Sequence, residues 1–282
     1  MGKVSVGGPI RAGSRRDDAV SWARALTFNL ALFGWTAIIG TLGLPILLAP
    51  RRVAMAFGRF WAAGVLALLR VIVGLDYEIR GRDRIPRGGC IIAMKHQSAW
   101  DALVLPVELG DPAVVVKREL LLLPFYGWYA VRAGSIAIDR KAGAGALRRM
   151  LARARPAAAA GRPIVIFPEG TRVAPGERRA YQPGAAALYQ ALSLPVVPAA
   201  VNSGLYWGRR AFVKRKGRIV LEFLEPIPTG RTRPRLMAEL ERRIETATNA
   251  LVREGLSATG APHGFTAQRS FPDAPKGRAR NP

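Results

Sequence analysis

The sequence predicts an α/β domain, a central sheet covered by helices on both faces, preceded by N-terminal membrane helices. Three observations predict it. From Leu75 onward, short β-rich runs alternate with Ala- and Arg-rich helical stretches. The strand-like runs are apolar at successive positions, and a strand of that kind is buried on both faces. Ahead of them, 26 residues from Ala25 to Pro50 carry no formal charge.

Length and composition bound the rest. At 282 residues the chain makes one or two domains, and 50% hydrophobic against 22% charged excludes disorder as a description of the whole. Lys and Arg number 43 against 19 Asp and Glu, a net +24, so anionic partners are expected. The single cysteine, Cys90, excludes an internal disulfide, and two histidines leave little room for a His-built metal site.

Taken in order, residues 1–20 read as disordered and 21–72 as membrane-associated helices. A helix over Leu26 to Leu48 would be about 34 Å long, enough for a hydrocarbon core of roughly 30 Å. Arg24 closes one end and Arg51 and Arg52 the other, with Trp22 and Trp35 near the interfaces. The run is longer than a signal-peptide core and has no small-residue cleavage site, so it reads as an uncleaved membrane segment. A buried core helix is the soluble alternative. A second apolar run, Phe60 to Leu69, lies between Arg59 and Arg70, too short to span alone and suited to the interface. Gly34, Gly40, Gly43 and Pro45 would loosen the first helix, and the pair could then form a shallow hairpin. Cations flank both sides and leave orientation open.

Residues 73–254 read as the folded domain and 255–282 as a flexible tail. Strands are expected at 75–81, 90–94, 113–117, 135–138, 163–167, 194–201 and 217–224. Helices are expected near 101–108, 118–131, 143–159, 184–193 and 233–254.

The chemistry gathers where strands end. In CIIAMKHQSAWD a strand runs into a polar step and a helix start, with His96 and Asp101 five apart. On one continuous helix the two would face different ways, but a turn between them can bring them together, with Ser98 an N-cap and Asp101 in the first turn. The carboxylate could then hold one imidazole nitrogen and leave the other to take a proton from a hydroxyl. A loop histidine with a solvated capping Asp is the plainer alternative. The strand PIVIF is followed by Pro168, Glu169, Gly170, Thr171 and Arg172, where Gly lets backbone approach a ligand and Thr and Arg donate to phosphate oxygens. Lys117, Arg118 and Arg140 also stand at strand ends, the usual place for a ligand in an α/β sheet.

These blocks resemble the 1-acyl-sn-glycerol-3-phosphate acyltransferase family, the PlsC-type lysophosphatidate acyltransferases. The H-x4-D block matches His96 and Asp101. The G-x-x-x-I-D-R block matches Gly134, Ile138, Asp139 and Arg140, and F-P-E-G-T-R matches Phe167 to Arg172 in full. Leu194 to Pro198 is similar to the family's V-P-V-x-P block. The resemblance covers roughly Leu75 to Leu224. It implies a glycerolipid acyltransferase-like fold, a mixed central sheet flanked by helices, with 73–254 as the acyltransferase domain.

It also implies transfer of an acyl group from acyl-CoA or acyl carrier protein to the free hydroxyl of 1-acyl-sn-glycerol-3-phosphate, giving phosphatidic acid. His96 would be the general base and Asp101 would orient it. Arg140, Glu169, Gly170, Thr171 and Arg172 would hold the acceptor's phosphate, with Lys117 a further candidate and Pro198 in a block tied to substrate binding or the acyl site. A thioester is already activated, so no metal and no cofactor is implied. Because such donors are cytoplasmic, the resemblance places the domain on the cytoplasmic face of the inner membrane, among membrane lipids.

Three positions depart from the family. Lys95 stands where many members have Asn, as a cation beside the base or an added phosphate contact. Ala137 replaces a frequent aromatic, and Tyr181 to Gly184 (YQPG) stand where many carry a Lys. The run WGRRAFVKRKGR, 207–218, is densely basic, facing anionic headgroups or solvent; no recognition fold or stacking surface marks it for nucleic acid. Cys90 reads as a buried small hydrophobe and Trp100 as packing. Another lyso-lipid, such as lyso-ornithine lipid, is the alternative acceptor, and a non-catalytic basic membrane-binding protein is the alternative from another class.

Overall fold

Seven strands form: β1 (Leu75–Arg80), β2 (Ile91–Met94), β3 (Ala113–Lys117), β4 (Ile136–Ile138), β5 (Ile164–Ile166), β6 (Val196–Val201) and β7 (Gly217–Phe223); β2, β4, β5 and β6 are continuously apolar, whereas β1 alternates apolar with charged residues. A computed structural model describes residues 15–139 and 143–258. The strands make one seven-stranded sheet in the order β1-β7-β6-β2-β5-β3-β4. Strands β2 to β6 run parallel, whereas β7 pairs antiparallel with β6 and parallel with β1. The sheet is therefore mixed, and the C-terminal ends of β6, β2 and β5 open side by side at its centre.

Helices cover both faces. Those of the domain are α3 (Trp100–Leu109), α4 (Tyr126–Arg132), α5 (Gly143–Ala159), α6 (Gly184–Leu192) and α7 (Arg233–Ala258), preceded by α1 (Arg15–Leu42) and α2 (Arg51–Leu68). Alternation along β2 divides the core. Ile92 and Met94 pack with Leu69, Val104 and Leu105 on the side of α2 and α3. Ile91 and Ala93 pack with Met150 of α5, Leu188 of α6, and Leu240 and Ile244 of α7. Every residue of β2 is buried, as its unbroken apolar run predicts.

The structure corrects several expectations. The helix expected over 118–131 is broken: a 3-10 run, Arg118–Leu122, stops before Pro124, and Phe125 takes a positive φ of 58° before α4 begins. Proline offers no N–H to continue the ladder. The helix expected to Leu48 ends at Leu42, with a turn at Gly43 and a short 3-10 segment, Leu44–Leu48, carrying Pro45. Phe60 to Leu69 is no isolated patch: Arg51–Val73 is one 23-residue apolar helical stretch, its last turn a π-turn. Arginine is a good helix former, so Arg59 and Arg70 do not interrupt it. Helix α1 already begins at Arg15 and α7 continues to Ala258, while 1–14, Arg140 and 259–282, including His263, lie outside the described residues.

Of the glycines expected to loosen α1, Gly34 faces open space, Gly43 stands where the helix ends, and Gly40 and Gly43 are also contact points. A Cβ on Gly40 would sit 2.6 Å from the Phe125 ring, so the missing side chain admits that ring. Reciprocal bonds then join α1 to α2: Trp35 Nε1 donates to the Trp61 carbonyl and Trp61 Nε1 to Thr36 Oγ1, each at 3.1 Å.

Candidate active site

The site begins where β2 runs out. The Lys95 amide still donates to Ala199 O at 2.9 Å, and the chain then bends through Ser98 and Ala99 into α3. Asp101, in the first turn of α3, makes the bend: its Oδ2 accepts the amides of Gln97 at 2.7 Å and Ser98 at 2.8 Å. The same oxygen lies 2.9 Å from His96 Nδ1. The turn thus brings the pair together. Ser98 is not the N-cap expected: Ala99 holds that position without a side-chain cap, and the Ser98 hydroxyl, one residue earlier, accepts the Trp100 amide at 3.2 Å.

Asp101 is fully buried, and its Oδ1 accepts the Ser203 hydroxyl at 2.5 Å. An ionised carboxylate with two amides and one hydroxyl is well solvated by the protein itself. It faces Nδ1, which leaves Nε2 as the nitrogen available to a substrate, on a side chain 18% exposed. The imidazole stacks on Phe167, centroids 4.0 Å apart and planes 22° apart. The loop after β5 also pins the His96 backbone: Glu169 Oε2 accepts its N–H at 2.9 Å, and its carbonyl accepts the Val173 N–H at 2.8 Å.

Cations stand around this point. Arg172 is half-buried on the same loop; burial, with Arg209 and Arg210 nearby, pulls its guanidinium below the usual value, while Asp101 acts the other way. Thr171 and Gly170 are half-buried beside it, Gly170 with φ 73°. Lys117, at the end of β3 two strands from β2, is exposed and 3.4 Å from Glu119. Cys90 is fully buried, its thiol pushed up to about 11 by that burial, the state of an inert small hydrophobe. Trp100 is 1% exposed against Tyr77, which makes it packing.

An acyltransferase family model matches residues 76–202, which span the base, the loop after β5 and β6. A 1-acyl-sn-glycerol-3-phosphate acyltransferase of Pseudomonas aeruginosa is 35% identical over 81% of this chain and 90% of its own length. The chain belongs to the 1-acyl-sn-glycerol-3-phosphate acyltransferase family. The human alpha form is 27% identical over 80% of this chain and 81% of its own. The crystal structure of PlsC, the acyltransferase of Thermotoga maritima, shares the fold at TM-score 0.70 and 18% identity, over 83% of this chain and 97% of that one.

In this acyltransferase three residues read as possible substrate contacts face elsewhere. Glu169 is 1% exposed, with Lys95 Nζ 2.6 Å from its Oε1, and a carboxylate held so is turned away from an incoming phosphate, which it would repel. Burial pushes its carboxyl up and the Lys95 charge pulls it back. Lys95 is buried too, so it is no added phosphate contact. Pro198 lies buried within β6, opposite Ala93 of β2, supporting the central strand. Sequence reasoning missed Ser203, Phe167 as a stacking partner and Glu245. The polar pair Asn202–Ser203 directly after a buried strand was a signal for the first. A glutamate among Leu240, Ile244, Thr248 and Leu251 on the buried face of α7 was a signal for the last.

Proposed function

We propose that the protein transfers a fatty acyl group from acyl-CoA or acyl carrier protein to the free hydroxyl of 1-acyl-sn-glycerol-3-phosphate. The observation that carries this reading is the His96–Asp101 contact at 2.9 Å, which engages Nδ1 and leaves Nε2 as the second nitrogen of a side chain 18% exposed. His96 Nε2 takes the proton of the acceptor hydroxyl, and that oxygen attacks the thioester carbonyl. The tetrahedral intermediate collapses with loss of the thiolate, which receives the proton back from the imidazolium. Asp101 fixes the tautomer and stabilises the cation formed on the ring. Arg172, with Thr171 and Gly170, seats the acceptor's phosphate; Lys117 and Arg140 are proposed as further cations of that seat.

The reaction runs at a membrane surface in this reading. Large apolar side chains are exposed on α1 (Leu30, Phe33, Leu42), on α4 (Trp128, Val131) and just before α4 at Leu122. Both ends of the helical stretch Arg51–Val73 touch the domain: Arg51 pairs with Asp111 at 2.5 Å, and Val73 leads through Gly74 into β1. A helix held at both ends lies along the domain, which supports a hairpin embedded in one leaflet over one that crosses it. Thioester donors place this face on the cytoplasmic side of the inner membrane.

The test compares lysophosphatidic acid with monoacylglycerol, which lacks the phosphate, as acceptors. The reading predicts strong preference for the former and a KM raised about tenfold or more by Arg172→Ala, a charge-assisted contact being worth ~1.5–3 kcal/mol. Equal use of both acceptors contradicts it.

A further inference from the structure

Lys95 directly precedes His96, yet the two side chains leave the strand end on opposite faces, as neighbours in extended chain do. On its face Lys95 is 1% exposed, its Nζ 2.6 Å from Glu169 Oε1 and 2.7 Å from Glu245 Oε1. Tyr181 donates its hydroxyl to the same Glu245 oxygen at 3.0 Å. The cluster joins the end of β2, the loop after β5 and α7. Glu169 links the cluster to the other face, its Oε2 accepting the His96 amide at 2.9 Å.

Stability alone gives no reason for such a cluster, because apolar residues of similar volume generally serve a core as well or better. Position does give one. Two carboxylates share one ammonium, which hydrogen-bonds Glu245 and holds Glu169 as an ion pair, while a phenol donates to Glu245, and few arrangements keep all of these contacts at once. Without Lys95, Glu169 must take up a proton or turn toward solvent, and either change weakens the acceptor that holds the His96 backbone. Resting on the assignment of His96 as the base, we propose that Lys95, Glu245 and Tyr181 are positioning residues for acyl transfer: they lock the Glu169 carboxylate, and it fixes the His96 amide and so the aim of the imidazole. The residue at 95, which departs from the family pattern, thus acts on the base from behind.

The test measures kcat and KM of the full-length protein in detergent, with lysophosphatidic acid as acceptor and both acyl-CoA and acyl carrier protein thioester supplied. Wild type is compared with His96→Ala, Lys95→Met, Lys95→Arg, Glu169→Gln and Lys95→Met/Glu169→Gln, each checked by circular dichroism. Lys95→Met is expected to lower kcat about 100-fold, the cost of a misplacement near 1 Å, at unchanged acceptor KM. Lys95→Arg recovers part of the loss. A glutamine at 169 accepts the His96 amide without needing a countercharge, so in that background Lys95→Met costs less than about threefold, the non-additivity of groups acting in series. Full kcat in Lys95→Met, independent losses that multiply in the double variant, or a rise in KM alone would each overturn the proposal. Should Lys95→Met not fold, Tyr181→Phe removes a single hydroxyl; a severalfold drop in kcat at constant KM supports the proposal and an unchanged kcat overturns it. Retained activity in His96→Ala defeats the underlying assignment, whereas a dead His96→Ala beside a fully active Lys95→Met defeats the positioning role alone.

Discussion

His96 is held by its ring and by its backbone at once. Asp101 takes Nδ1, Phe167 covers one ring face, and the loop after β5 bonds both the amide and the carbonyl. Asp101 in turn depends on Ser203, whose hydroxyl donates to its second oxygen. Ser203→Ala leaves that buried oxygen short of a donor, and such a loss costs about 1–3 kcal/mol. We expect a lower thermal midpoint and a reduced kcat at unchanged acceptor KM, read by unfolding and steady-state kinetics; a wild-type kcat would show that Ser203 does not support the base. The His96–Asp101 pair was legible in the sequence because strand, turn and helix start followed one another within a dozen residues. Glu245 was not, because it comes from α7, some 150 positions away, and no local pattern announces a carboxylate that will meet Lys95.

Elements carried their signals where hydrophobicity alone decided them. The strands expected at 113–117 and 217–224 form at Ala113–Lys117 and Gly217–Phe223, since their apolar centres, Val115–Val116 and Ile219–Leu221, are buried at successive positions. The stretch 118–131 went differently because Pro124 outweighs the helix formers on either side. For α1 and α2, composition gave apolarity but not the bounds, and the hairpin turns on contacts between distant residues. Gly40 admits Phe125, and the Tyr129 hydroxyl donates to Gly40 O at 3.0 Å. Gly40→Leu would drive a side chain into that ring, and overpacking of this kind costs about 1–3 kcal/mol. The expected result is a lower unfolding temperature in detergent together with increased protease cleavage near α4; unchanged stability would mean the helices do not pack this way.

The whole molecule sets an apolar surface beside a basic one. The basic run 207–218 is moored to α1: Lys214 Nζ lies 2.9 Å from Asn29 Oδ1, and Phe212 stacks near Trp22 with centroids 4.9 Å apart. Net charge of +24 and this mooring predict binding to vesicles containing anionic lipid, weakened by salt but not abolished, because the apolar contribution is insensitive to screening. Leu122→Glu with Trp128→Glu should leave the domain folded and release much of the protein from the vesicles in a flotation assay. Unaltered flotation would place that apolar surface away from the bilayer. The mixed sheet and its order could not be read from the sequence, since strand pairing depends on which distant runs meet and not on any one of them.

The most direct test of the central claim is acyl transfer by the detergent-solubilised protein, wild type beside His96→Ala. Lysophosphatidic acid serves as acceptor, both thioester donors are offered in turn, and thiol release is followed together with phosphatidic acid. Product from the wild type, reduced about 10²–10⁴-fold in the variant, is the predicted result. Equal product from both proteins would contradict the account, because the imidazole around which the site is built would then have no part in the reaction.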